Sequence, residues 1–100
     1  MAEAITSPDG KVQIVRHSIT YPPMGPKSVQ GAIKNISSDT VSAEIKVEFY
    51  DESDNMLGTS AEIIKDLAPG ETRLFDVWAE RLPNMYEIET HKIASLTTVS

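Results

Sequence analysis

Residues 41–51, VSAEIKVEFYD, decide the fold. Val41, Ala43, Ile45, Val47 and Phe49 alternate strictly with Ser42, Glu44, Lys46 and Glu48. A period of two puts the apolar set on one face of a strand and the polar set on the other. An α-helix would scatter the same residues around its circumference. The stretch therefore predicts an antiparallel strand with one buried and one wet face.

Working outward, the same signal recurs. KVQIVRHSIT (11–20) is rich in β-branched residues and predicts a strand. YPPMGPK (21–27) holds three prolines and a glycine, which cannot join a ladder, so it is a loop. SVQGAIKN (28–35) is the next strand, with Val29, Gly31 and Ile33 on one face. NISSDT (35–40) is a polar hairpin turn or short corner. DESDN ends the long strand, and MLGTSAEIIKDL begins another, with Leu57, Thr59, Ala61 and Ile63 expected on a shared face. LAPGE (67–71) is a Pro-Gly turn. TRLFDVWA (72–79) is a strand, ERLPNM (80–85) a break with a short helical turn, and YEIETHKIASLTTVS (86–100) a final β-rich run. In that run Tyr86 and Ile88 are even, while Ile93 and Val99 are odd. A bulge near His91 would restore the phase.

The sum is an all-β chain: an Ig-like or fibronectin-III-like antiparallel sandwich of about six to seven strands. Its 100 residues fit one domain. Residues 1–10 are expected as a flexible tail and 11–100 as the domain.

Composition narrows function by exclusion. The formal net charge is −6, and the 9 Lys and Arg are scattered, several alternating with acids. Phosphate backbones and anionic lipid surfaces need clustered cations, so neither is an expected partner. There is no cysteine, hence no disulfide and no thiolate chemistry. No run is long enough for an apolar membrane span. The start, MAEAITSPDG, lacks the basic and apolar regions of a signal peptide.

Candidate chemistry is sparse. Asp51, Ser53 and Asn55 fall at the first, third and fifth places of a calcium-loop template, with Glu62 at the twelfth. Met56 stands where that loop needs glycine, and the flanks are strands rather than helices. Asp51, Asp54 and Asn55 are thus weak candidates for a surface calcium site, against a turn whose side chains bond their own backbone. His17 and His91 would pair across a sheet if the first and last strands are neighbours. With Met24, Met56 and Met85 they suggest a His/Met copper site, against gap-filling methionines. No serine sits in a nucleophile elbow, and paired carboxylates lack a cleft in so small a sandwich, so no enzyme is expected. Asn35-Ile36-Ser37 is a glycosylation sequon that equally serves as the turn. Trp78 lies on the strand face opposite Phe75 and Val77, and Tyr21 opens the proline loop. These rings are the binding candidates, for stacking on a sugar or anchoring a protein.

The ordered landmarks VQGAIKNISSDTVSAEIKVEFYDESDNMLGT and DLAPGETRLFDV resemble the FxLYD domain family, small β-sandwich domains of bacteria and archaea. Tyr50 and Asp51 match the last two letters of the name-giving motif, with Phe49 in place of its Leu and Val47 in place of its Phe. The resemblance spans roughly residues 12–99 and carries Gly31, Asn35, Leu67, Pro69, Gly70 and Phe75 as structural landmarks. It implies a secreted or cell-envelope domain without catalytic residues or cofactor. The expected function is a monomeric interaction or structural module with a protein or glycan partner. A carbohydrate-binding module and a weak calcium or copper domain are the alternatives.

Overall fold

The computed structural model describes residues 4–20, 27–79 and 87–99. The described residues form seven strands: β1 (Ile5–Thr6), β2 (Val12–Thr20), β3 (Ser28–Asn35), β4 (Val41–Tyr50), β5 (Met56–Leu67), β6 (Thr72–Trp78) and β7 (Thr90–Val99). They make a four-stranded sheet, ordered β1-β2-β3-β6, and a three-stranded sheet, ordered β5-β4-β7. Every pairing is antiparallel. The all-β expectation holds. The 35–40 segment is a corner rather than a hairpin, because β3 and β4 belong to different sheets.

One core lies between the sheets. β4 contributes Ala43, Ile45, Val47 and Phe49, all fully buried, as its alternation requires. They meet Val12 and Ile14 of β2, Val29 and Ile33 of β3, and Phe75 and Val77 of β6. Gly31 sits between His17 and Phe75 in the ladder. A Cβ there would lie 2.1 Å from the Arg16 carbonyl oxygen and 2.7 Å from the Phe75 ring. Glycine is required for close packing at this point, not for an unusual dihedral.

Bulges set which residues face the core. In β2, Ile14 pairs with Ile33 and Arg16 with Ala32, so Val15 is the extra residue. In β7, Lys46 pairs with Ser95 and Val47 with Ile93, so Ala94 is extra. The bulge expected near His91 therefore lies three positions later. Beyond it Leu96 is buried, while Val99 is exposed. In β5, Thr59, Ala61 and Ile63 share a face as expected, the exposed one, while Leu57 leaves it and packs against the core. Gly58, Ser60, Glu62 and Ile64 oppose the buried residues of β4, and Ile63 is exposed. Leu57 leaves because of a register shift next to the turn, between Phe49 and Tyr50, which moves the strand by one residue.

The expected N-terminal tail is structured over its described part. Ile5 and Thr6 pair with Ile14 and Gln13. Ser7 is 3% exposed, and its hydroxyl accepts from the Val12 N–H at 3.2 Å. Asp9 accepts from Ser7 Oγ at 2.6 Å and from Thr98 Oγ1 of β7. These bonds favour its charged form and lower its pKa to about 2.

At the same end, fully buried Asn35 joins the corners. Its Nδ2 donates to the carbonyls of Leu67 (2.9 Å) and Asp39 (2.6 Å). Its Oδ1 accepts from Ser37 N (2.9 Å) and Ser37 Oγ (2.7 Å). The sequon asparagine is thus the hub of its own turn, its amide engaged and out of solvent.

Candidate functional site

The opposite end holds the acidic turn, a β4–β5 hairpin loop. Asp51 Oδ1 accepts from the backbone N–H of Ser53 (2.8 Å) and Asn55 (3.0 Å), and Oδ2 accepts from Asn55 Nδ2 (3.3 Å). Those backbone bonds, led by Asn55, lower the Asp51 pKa below its ordinary value. Asp54 takes a positive φ of 63°, which a short polar side chain tolerates. Asp51 is thus committed to the turn's own donors. Glu62 is exposed on β5 opposite Ile45, well along the strand from the turn. Among the described residues no group of three His, Asp or Glu side chains converges as metal ligands would.

The histidines do meet, although from facing sheets rather than across one sheet. His17 projects inward from β2 and His91 from β7, and Nδ1 of His17 lies 2.8 Å from Nε2 of His91. The rings are edge-to-face, 5.0 Å apart and 88° between planes. Desolvation lowers both pKa values, and repulsion from His17 lowers His91 further. Met56 is 57% exposed on β5, outside this pair. Met24, Met85 and Tyr21 lie outside the described residues, as does the break at 80–85.

Trp78 stands on the outer face of the four-stranded sheet, 45% exposed, as the parity of Phe75 and Val77 requires. Leu74 shares that face at 70% exposure. Between them stands Asp76, and the register completes three cross-strand rows: Trp78–Ser28–Thr20, Asp76–Gln30–Ser18 and Leu74–Ala32–Arg16. The central strand carries small side chains at Ser28 and Ala32, while its neighbours carry Arg16, Leu74 and Trp78. The face is therefore concave along β3. A depression of about 510 Å³ follows, lined by Arg16, Ser18, Gln30, Leu74 and Asp76, with His17, Gly31 and Phe75 in its floor. No residue of the three-stranded sheet lines it, which places it on the outside.

Apart from His17, which is engaged with His91, the polar side chains of this depression are unspent. Oδ1 of Asp76 is buried and accepts no hydrogen bond. Neither Arg16 nor Gln30 makes a side-chain hydrogen bond among the described residues. The opposite outer face, on the three-stranded sheet, differs. There Tyr50 donates to Glu48 Oε1 at 2.8 Å, which raises the tyrosine pKa, and Lys92 Nζ lies 5.1 Å from the Tyr50 ring centre.

Sequence parity found Trp78 but not Arg16, Gln30, Leu74 or Asp76. The only signal for Leu74 and Asp76 was their shared parity with Trp78. Bringing them beside Gln30 and Arg16 depends on the nonlocal pairing of β3 with β6.

Compared with protein-family models, curated proteins and solved structures, the chain has no match.

Proposed function

We propose that this chain is a non-catalytic interaction module of a secreted or cell-envelope protein, acting as a monomer through the outer face of its four-stranded sheet. One observation carries the reading: Leu74 and Trp78 stand exposed beside an Asp76 carboxylate with no donor. Large apolar side chains held in water on a rigid sheet mark recognition surfaces, and an unsatisfied buried acceptor adds a polar demand that a partner can meet. The immunoglobulin-like assignment belongs to the same proposal. It is supported by the crossings between sheets at β3–β4 and β5–β6. Kinship with FxLYD domains is supported by the Phe49-Tyr50-Asp51 run, which closes β4 and opens the turn.

Hydroxyl-radical footprinting tests the reading. With cell-envelope extract from the organism that makes the protein, Leu74 and Trp78 should be protected while exposed Ile63 and Met56 on β5 are not. Uniform or absent protection rejects this face as the recognition surface.

A further inference from the structure

We infer that the depression between β2, β3 and β6 is a sugar subsite, taking a neutral oligosaccharide with one ring against Asp76 and the next stacked on Trp78. This rests on the reading of that face given above and adds the ligand's chemical class.

The argument begins with hydrogen-bond supply. The depression offers donors from Arg16, an acceptor carboxylate at Asp76, and mixed groups at Gln30 and Ser18. A hydroxyl both donates and accepts, so a ring edge of hydroxyls can satisfy all of them. The Asp76 carboxylate specifically has no donor among the described residues. An anionic ligand would leave it facing like charge, and a purely apolar one would leave it orphaned.

Charge points the same way. Arg16 and Asp76 carry opposite charges on the lining and cancel, and the other titratable group there, His17, is paired with His91. A neutral ligand is therefore preferred over an acidic or basic one.

Shape and apolar surface complete the case. About 510 Å³ falls within the ~300–1,000 Å³ usual for small-molecule sites. Two inter-strand gaps give a width of roughly 10 Å from β2 to β6. Along β6, Asp76 and Trp78 are alternate residues, roughly 6.6 Å apart. That step carries a chain from a ring held by Asp76 to a ring lying on the indole. A pyranose has an apolar C–H face as well as a hydroxyl rim, so one molecule uses Trp78, Leu74 and the polar row together. A protein partner would cover the apolar pair but would need a separate matched set of polar groups for the row.

The test uses neutral cello-, xylo-, manno- and chito-oligosaccharides, with oligogalacturonate as the acidic control. Binding is read by calorimetry and by emission of Trp78, the chain's one tryptophan. At least one neutral series should bind and shift the emission, and the acidic control should not. Asp76→Ala and Trp78→Ala should each weaken binding about tenfold or more, with circular dichroism unchanged. Asp76→Asn, which keeps an acceptor, should retain more affinity than Asp76→Ala. Silence from every neutral series, or affinity indifferent to both alanine variants, overturns the inference. So does footprint protection of Leu74 and Trp78 that survives glycosidase treatment of the extract but not protease. In that last case the face remains a recognition surface and only the ligand class falls.

Discussion

His17 Nδ1 and His91 Nε2 face each other at 2.8 Å, linking β2 of one sheet to β7 of the other. Their cross-strand partners, Gly31 and Phe49, supply no charge. Burial lowers both pKa values from 6.5, and the His17 charge lowers that of His91 further. The folded state thus binds fewer protons than the unfolded chain just below 6.5. The pair's contribution is complete above that pH and is lost as pH falls through the lowered folded values. The urea midpoint should fall between about pH 7.5 and about pH 5, above the carboxylate range. A His17→Gln, His91→Phe double variant should largely flatten that slope, and an unchanged slope would assign it elsewhere.

Asn35→Ala should cost about 3 kcal/mol, since it strands buried carbonyl and N–H groups at several turns together. Ser37→Ala, which removes one hydroxyl from the same network, should cost about 1 kcal/mol. Urea denaturation of both variants gives the ratio. Equal costs would mean that Asn35 is not the hub.

Two glycines should respond differently to alanine. Gly31→Ala meets the Arg16 carbonyl and the Phe75 ring, so β2 and β3 must separate, at about 3 kcal/mol. At Gly70, φ is +78° and nothing lies within 4 Å, so the substitution costs about 1 kcal/mol through backbone conformation alone. Thermal melts distinguish the two. The Gly31 variant should also disturb the groove, because Gly31 forms part of its floor.

Asp51→Ala should destabilise the hairpin by about 1–2 kcal/mol, through loss of the Ser53 and Asn55 bonds. Millimolar calcium should leave the wild-type urea midpoint where it is, since those oxygens already serve the turn. A calcium-dependent rise that Asp51→Ala abolishes would restore the metal reading of this loop.

Strand positions were legible wherever alternation was uninterrupted. SVQGAIKN and VSAEIKVEFY became β3 and β4 with the expected faces. Phase failed where a ladder gained a residue. In β5 the shift beside the turn took Leu57 off the face of Thr59, Ala61 and Ile63, and in β7 Ala94 made Leu96 rather than Val99 the inward residue. The β7 bulge has no glycine or proline to announce it, and at the β5 shift Gly58 was the one local signal. The groove was illegible for another reason. Arg16, Gln30 and Asp76 are far apart in the chain, and only the β2–β3–β6 order places them together.

Val15 gives β2 something like a reading frame. Ahead of it, Val12 and Ile14 fill the core. After it, His17 and Ile19 turn inward, and Arg16 and Ser18 are sent to the groove. Removing that one residue would act as a frameshift between faces, driving Arg16 toward Phe75 and turning His17 to solvent. Substitutions at Val15 should be forgiven, because its side chain is outside the core, but its deletion should not be. Deletion scanning along β2 would therefore find its most intolerant point at a residue that contributes almost nothing by its identity and nearly everything by its presence.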